Sequence, residues 1–406
     1  MVLISRVVAI PVFNTKFLVE RSFSPFFWLL ASTFCFGLGM ALFLTISTNF
    51  MVEELGIRPE QLGLLESIRE VPGLLAVVSG AMVMMVAEPL VGLIALVLLG
   101  VGYLNYFHVQ SIETLVVFSV IGSVGFHLWW PVSNTIALRL SATDIQGRRL
   151  GQIRSVAAVA QLVGIGIVFI AVAGIGMRPL FIVSGAIVML GGLMVFRIRG
   201  LNRVQNTPRL VLRRRYWLYY VLTFLDGGRR HIFMTFAIFL LVRDHAVDVQ
   251  TIAVLGLVNG VVTVGGAYVF GRLIDGLGER PVLVVSFGAL ALIFTGYAMM
   301  PSLTVLFALY VLDNLFFSAE IGVTTYLRKI LIDPSDLRPS LVVGLTMNHV
   351  AAVVVPVTGG ILWKAFGHQV PFLGGAILAV LAMALSMLVS YAPDKRSIPD
   401  AVLKTG

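Results

Sequence analysis

Charged residues are scarce in this sequence: 12% of its 406 residues are Asp, Glu, Lys or Arg, while 58% are hydrophobic. Soluble domains carry about a quarter of their residues as charged side chains. The shortage excludes an ordinary soluble protein and indicates an integral membrane protein. We expect it to be all-helical, because backbone groups in lipid must find hydrogen-bond partners within the protein.

Metal-ligating and catalytic patterns are also scarce. The one cysteine, Cys35, excludes an internal disulfide and a metal centre built from cysteines. The six histidines are scattered, without the short spacings of zinc sites, so we predict no metal site. The sequence has no Walker-type nucleotide loop and no Ser/His/Asp arrangement. We therefore expect no enzyme, no cofactor, no ATP-driven mechanism and no nucleic-acid partner.

What the sequence does contain is a series of apolar runs of roughly 20 residues, the length that crosses a bilayer. The twelve predicted spans are 25–50, 62–85, 90–107, 114–138, 151–175, 179–197, 216–242, 251–271, 281–300, 303–327, 341–363 and 370–391. The one long polar break, 198–215, leaves six spans on each side.

Positive charge, which gives the chain a net charge of +9, is distributed unevenly. With the N-terminus inside, the basic residues of the outer loops are Arg58, Arg178, Arg243 and Lys364, and most others lie inside. Basic loops favour the cytoplasm, so we predict a multi-pass protein of the cell inner (plasma) membrane with both termini cytoplasmic. The predicted parts are an N-terminal segment 1–24, a six-helix bundle 25–197, a basic linker 198–215 that contacts lipid headgroups, a second bundle 216–391 and a tail 392–406.

The loop after the eighth span reads GRLIDGLGER at 271–280. Gly271, Asp275, Gly278 and Arg280 match the signature loop of the major facilitator superfamily, which this segment resembles, whereas Glu279 stands at a usually basic position. Without the family, Gly271 suggests close helix approach and Gly278 a tight turn. The resemblance implies that these four residues belong to an inner gate.

Two other loops bear on the same resemblance. The segment 147–152, GRRLGQ, is similar to a loop common in the superfamily, whereas the first-half counterpart of the signature loop, 80–89, keeps only Gly80 and Glu88. The resemblance implies twelve helices in two pseudo-symmetric six-helix bundles. It also implies that spans 1, 4, 7 and 10 line a central cavity.

Span 4 offers His127, Trp130 and Asn134, which share one helical face at i, i+3 and i+7. We expect this face to line the cavity and bind substrate. Trp129 lies on a different face, and there we expect packing against a neighbouring helix.

Span 7 carries Asp226, Arg229 and Arg230 on one face, at i, i+3 and i+4. A charge at the bilayer centre costs about 2.5–3.5 kcal/mol on insertion scales, so this face cannot point at lipid. We predict that it binds substrate; the alternative is an Asp226–Arg230 ion pair, with the other arginine free to bind a carboxylate or phosphate or to pair with span 10. Two glycines, 227–228, suggest a hinge.

Span 10 carries Asp313, Asn314 and Glu320. We expect Asn314 to contact substrate, and Asp313, Glu320 or Asp226 to carry a proton. The alternative is that both span 10 acids are salt-bridged to the span 7 arginines and never titrate.

Span 2 carries Glu66, Arg69 and Glu70. We interpret them as an outer gate, with Glu66 or Glu70 as a proton site in the alternative. On span 11, His349 indicates a hydrogen bond between helices.

The predicted spans hold Arg69, Arg229 and Arg230 against five acids, Glu66, Glu70, Asp226, Asp313 and Glu320. Since unpaired charge is costly in a membrane, one or two carboxyls should be protonated. We expect a monomeric, proton-coupled secondary transporter for a small organic solute, anionic or zwitterionic. A proton-driven efflux antiporter for drugs or metabolites is the alternative, and a non-transporting sensor a further one.

Overall fold

A computed structural model of the chain describes residues 24–83, 86–142, 145–199, 201 and 212–390. These residues form twelve helices and no strand, which confirms the predicted fold class. The helices are α1 Pro25–Asn49, α2 Pro59–Val83, α3 Glu88–Asn105, α4 Ile112–Arg139, α5 Gln146–Ile175, α6 Met177–Phe196, α7 Trp217–His245, α8 Val249–Leu277, α9 Glu279–Met299, α10a Leu303–Phe316 with α10b Glu320–Ile330, α11 Leu337–Phe366 and α12 Gln369–Ser386.

Local signals explain where several helices begin and end. The Ser24 hydroxyl accepts a hydrogen bond from the Phe27 N–H at 3.2 Å, ahead of Pro25 in the first turn of α1. The Asp248 carboxylate caps α8 by accepting from the Thr251 N–H at 2.7 Å. Gly278 ends α8 with a φ of +83°, a conformation that favours glycine.

Within the described residues, ten helices are long and apolar enough to cross a membrane. The other two, α2 and α7, are equally long but carry the charged clusters predicted to face inward. Their polar residues therefore have to lie against other helices, and the fold places α2 against α11 and α7 against α11 and α12.

Each bundle has an aromatic core. In the first bundle, Phe43 of α1 stacks on Tyr103 of α3 with ring centroids 3.8 Å apart. In the second, Tyr297 of α9 stacks on Phe372 of α12 at 4.9 Å. Glycines let backbones approach closely, as usual where helices pack in membranes; a Cβ on Gly125 would meet the main chain of α3.

The two bundles meet tightly on the predicted outer side. Asn49 Nδ2 donates to the Val247 carbonyl at 2.8 Å, and the Val357 N–H donates to Ser67 Oγ at 3.0 Å. Gly63 lies against the carbonyl of Pro356.

Across the same interface, Gly360 lies against the main chain of Pro59 and Glu60. We call this region, formed by Asn49, Gly63, Ser67 and Gly360 with the segments they touch, the outer seal.

Two features differ from the expectations. The tenth span is interrupted by a 3-10 turn, Phe317–Ala319, whereas the seventh is a continuous helix through the glycines at 227–228. These glycines serve close packing instead of a bend, because a Cβ on Gly227 would lie 2.5 Å from Asn348 Oδ1. Most of the predicted basic linker, the predicted N-terminal segment apart from Ser24, and the predicted C-terminal tail lie outside the described residues.

Candidate functional site

The charged face of α7 forms an ion-pair network with α10a and α10b. Arg229 donates to Asp313 at 2.9 Å and to Asp226 at 3.1 Å. Arg230 donates to the other oxygen of Asp226 at 3.0 Å and to Glu320 at 2.6 Å. Asp226 therefore bridges both arginines, and two guanidinium groups share three carboxylates.

Arg229 lies in the part of this network that is buried away from solvent. Its side chain is 1% exposed, and its guanidinium sits 5.5 Å from the centroid of the Phe294 ring. Its two acidic partners occupy its donors, so in this conformation Arg229 has no exposed surface to offer a substrate.

Arg230 is placed differently. Its guanidinium lies 3.9 Å over the Phe317 ring, and its partner Glu320 has a half-exposed side chain. Arg230, Asp226 and Glu320 line a cavity of about 280 Å³ that also contacts α11. Of the two arginines, Arg230 is the one that a solute can reach.

The 3-10 turn in the tenth span lies between Asp313 and Glu320. It places Glu320 at the first position of α10b, where the positive end of the helix dipole favours a carboxylate. A 3-10 stretch within a helix often marks a hinge, because its hydrogen-bond geometry is poorer. The two acids therefore belong to separate helical segments.

In the first bundle, the charged residues of α2 divide between two sets of partners. Arg69 donates to Glu66 at 2.6 Å within the helix. Glu70 instead reaches the other bundle, where the Nδ1 of His349 lies 3.0 Å from its Oε2. His127 Nε2 lies 3.7 Å from the same oxygen. Of the three predicted gate residues of α2, Glu70 is thus the one that pairs across the interface.

A cavity of about 460 Å³ lies between the bundles, on the inner side of the outer seal. Five of the predicted residues line it: Glu66, Arg69, Glu70, His127 and Asn314. Eight of its lining residues are aromatic: Phe43, Tyr103, Tyr106, Phe118, Phe126, Phe233, Tyr310 and Phe317. The wall therefore combines aromatic surface with a few polar and ionisable groups.

The other predicted residues of α4 lie away from this cavity. The Trp130 side chain is exposed, and Asn134 donates to the Trp130 carbonyl at 3.2 Å. Trp129 is buried and packs on Phe36 with ring centroids 5.9 Å apart, in the packing role expected for it.

The signature loop shows one of its expected features. Gly278 makes the tight turn, but Gly271 has open space around it and not a neighbouring helix. Asp275 and Arg280 are both exposed. Glu279, which stands where the family pattern usually has a basic residue, is buried and pairs with Lys329 of α10b at 2.8 Å.

Several cavity residues escaped the sequence reasoning. Phe233 and Tyr310 stack with centroids 5.2 Å apart, and nothing in an apolar helix distinguishes such aromatic residues from core residues. His231 is also buried, with its Nε2 lacking a hydrogen-bond partner among the described residues. Its position next to the arginine pair was the available signal.

A second cleft, of about 490 Å³, lies on the opposite side of the seal. It is open to the surface and is formed by helix ends, including Arg58, Glu60, Asp244 and Lys364. Its charges pair with one another, as Lys364 does with Glu60 at 3.1 Å. It is a surface feature outside the central cavity.

Comparisons with known proteins agree with this architecture. A family model described as Major Facilitator Superfamily matches residues 29–218 and 218–404. A mutant of the nucleoside transporter NupG superposes with a TM-score of 0.75 at 15% identity, covering 90% of this chain and 100% of that one. A bacterial homologue of the human lysosomal transporter Spinster, inward-facing and occupied, gives a TM-score of 0.70 at 15% identity, with 90% and 98% covered. Curated protein sequences give no match.

Proposed function

Because this chain belongs to the major facilitator superfamily, we propose that it is a proton-coupled secondary transporter that moves a small organic solute by opening one central cavity alternately to either side of the membrane. The observation that carries the proposal is the cavity between the bundles, which is closed by the outer seal and has ionisable groups in its wall. Transport requires such a cavity.

The conformation fits the inward-facing stage of the cycle. The outer seal closes the side that carries the few basic outer-loop residues. The side chains of Trp130 and Glu320, which lie nearer the predicted cytoplasmic ends of their helices, are about half exposed. A solute therefore enters or leaves this state from the cytoplasm.

Proton coupling is supported by the charge balance of each bundle. In the second bundle, Arg229 and Arg230 face three carboxylates, so one negative charge is in excess. Asp313 is the candidate to hold the proton, because its Oδ2 is buried and has no partner among the described residues. Asp226 is the weaker candidate, since both of its oxygens pair with arginine.

The proposed substrate class rests on the charged side chains that are available to a solute in the cavity. Both arginines of α7 are engaged by acids, so the expectation of an anionic solute has less support than the sequence suggested. Glu66 and Glu70 outnumber Arg69 in the cavity wall. We propose a cationic or zwitterionic solute with an aromatic or apolar body.

Efflux is the second candidate, and the aromatic wall favours it. Aromatic faces bind varied apolar and cationic compounds through stacking and cation–π contacts. A proton-driven antiporter for such compounds would use the same acids, so the two candidates differ in the direction of proton and solute flow.

The test is transport in proteoliposomes that contain the full chain. A thermal-shift screen of amino acids, nucleosides and aromatic amines at two pH values first identifies a stabilising solute. We expect Asp313→Asn to abolish accumulation driven by a pH gradient while solute exchange without a gradient persists. Asp244→Asn, which changes an acid at the outer end of α7, is the matched control and should transport normally. Gradient-driven accumulation by Asp313→Asn at the wild-type rate would refute the role of Asp313.

A further inference from the structure

Three side chains with metal-ligating atoms meet beside the outer seal, one from each of α2, α4 and α11. The ligand atoms of Glu70, His127 and His349 all lie within 4.8 Å of one another. Both imidazoles converge on one carboxylate oxygen, at 3.0 Å from His349 Nδ1 and 3.7 Å from His127 Nε2. The three side chains are 23%, 9% and 11% exposed, so the group is largely shielded from solvent.

The hydrogen bonds of His127 fix which nitrogen faces Glu70. Its Nδ1 lies 2.9 Å from the Ser123 carbonyl oxygen and 3.1 Å from Ser123 Oγ, which donates its own proton to the Arg69 carbonyl. A carbonyl oxygen only accepts, so Nδ1 carries the proton and Nε2 of the neutral ring presents its lone pair. That lone pair points at a carboxylate oxygen, an arrangement that a cation between the two atoms would stabilise. Metal-binding histidines typically donate their other N–H to a backbone carbonyl in this way.

Gly73 gives both rings room to lie side by side. A Cβ at this position would lie 2.5 Å from His127 Nε2 and 2.5 Å from His349 Cε1.

We propose that Glu70, His127 and His349 form a binding site for a divalent transition-metal ion of the zinc class. Two imidazole nitrogens and one carboxylate oxygen are ligands that this class of ion prefers. Ligand atoms around a tetrahedral zinc ion are about 3.3 Å apart, so the side chains need to move inward by about 1 Å or less each. The central cavity, which Glu70 and His127 line, provides the path of entry.

Charge also favours a cation here. Arg69 pairs with Glu66 at 2.6 Å, which leaves Glu70 as the acid of α2 without an arginine. Because Glu70 and His127 belong to the first bundle and His349 to the second, a bound ion connects the bundles and stabilises the conformation that is closed on the outer side. Glu70 and His127 also line the cavity where the solute is proposed to bind, so a metal ion and a solute would share these two side chains.

The test is metal binding to the purified full chain in detergent. We expect added Zn²⁺ to bind one ion per chain and to raise the melting temperature. Co²⁺ should give the visible absorption of a nitrogen- and oxygen-coordinated ion. Glu70→Gln, His127→Gln and His349→Gln should each weaken binding by at least about tenfold, since each removes a ligand. His108→Gln, which changes an exposed histidine at the end of α3, should bind as the wild type does.

Folding of each variant is checked by its melting temperature without metal, so that lost binding is not confused with lost structure. Equal Zn²⁺ affinity in the wild type and the three variants would overturn the site. So would a wild type that takes up neither ion and responds to pH alone, because the histidines would then hold a proton in place of a metal. Either result leaves the proposal of transport untouched.

Discussion

At the scale of single residues, Arg229 and Arg230 are neighbours in sequence with different surroundings. Arg229 is 1% exposed between Asp226 and Asp313, whereas the Arg230 side chain is 14% exposed and has a half-exposed partner. Removing one partner from a buried ion pair costs about 3–5 kcal/mol, because the other charge is left unpaired. At a cavity wall, water can solvate the charge that is left unpaired, so the loss of stability is smaller there.

We therefore predict that Arg229→Ala lowers the unfolding free energy by about 3–5 kcal/mol, on the basis of the two carboxylates that it leaves buried. Arg230→Ala should cost clearly less stability while abolishing transport. The measurement is the unfolding transition of both purified variants in the same detergent. Equal destabilisation by the two substitutions would contradict the assignment of Arg229 as a structural counterion.

Helical spacing was enough to predict that Asp226, Arg229 and Arg230 share a face and that an arginine could pair with span 10. It could not show which arginine is buried away from solvent, because that depends on packing against Phe294 of α9. The grouping of Glu70, His127 and His349 was also out of reach. Its members are far apart in sequence and on three helices, and no short spacing signals it.

At the scale of helices, the count of twelve helices followed from apolar length, and most of them begin and end within a few residues of the prediction. The interruption of the tenth span was missed, because Phe317–Ala319 contains neither proline nor glycine. The glycines of the seventh span were predicted to form a hinge, but the helix is continuous there and the glycines allow close packing against α11. Composition alone does not separate these two uses of glycine.

The outer seal gives a prediction at this scale. Gly360→Val should open the seal, because even a Cβ at this position would collide with the main chain of Pro59 and Glu60. In a Cys35→Ala background, Thr48→Cys places a thiol in the wall of the central cavity. We expect a membrane-impermeant thiol reagent to label it from outside severalfold faster when Gly360→Val is present.

The matched control for the seal is Gly374→Val, the same substitution on α12 at a position with open space around it. It should leave the labelling rate unchanged. If both substitutions accelerate labelling equally, the effect comes from general loosening of the second bundle and the assigned role of the seal fails.

At the scale of the whole molecule, the asymmetry of basic residues predicts which side is cytoplasmic. In the cysteine-free background, Ser302→Cys lies between α9 and α10a on the predicted outer side, and Ser335→Cys lies between α10b and α11 on the inner side. Impermeant thiol reagents should label the first position in intact cells and the second only after permeabilisation. The reverse pattern would invert the topology and turn the proposed inward-facing state into an outward-facing one.

The resemblance of one loop at 271–280 was sufficient for the family, which the match over residues 29–218 and 218–404 confirms. It was not sufficient for the gate. The buried acid of that loop is Glu279, the residue that differs from the family pattern, and it pairs with the partly exposed Lys329. Pattern matching assigns importance to the matching positions, whereas burial and charge compensation depend on what the neighbouring helix offers.

Asn49, Gly63, Ser67 and Gly360 each contact main-chain atoms of the other bundle in the outer seal. These main-chain contacts contain no titrating group, so their strength should depend little on pH or ionic strength, unlike that of the Glu60–Lys364 pair beside them. The energy that drives the cycle must then act on the polar network deeper in the protein. Substitution of the acids in that network would therefore change the pH dependence of transport without altering the main-chain contacts of the outer seal.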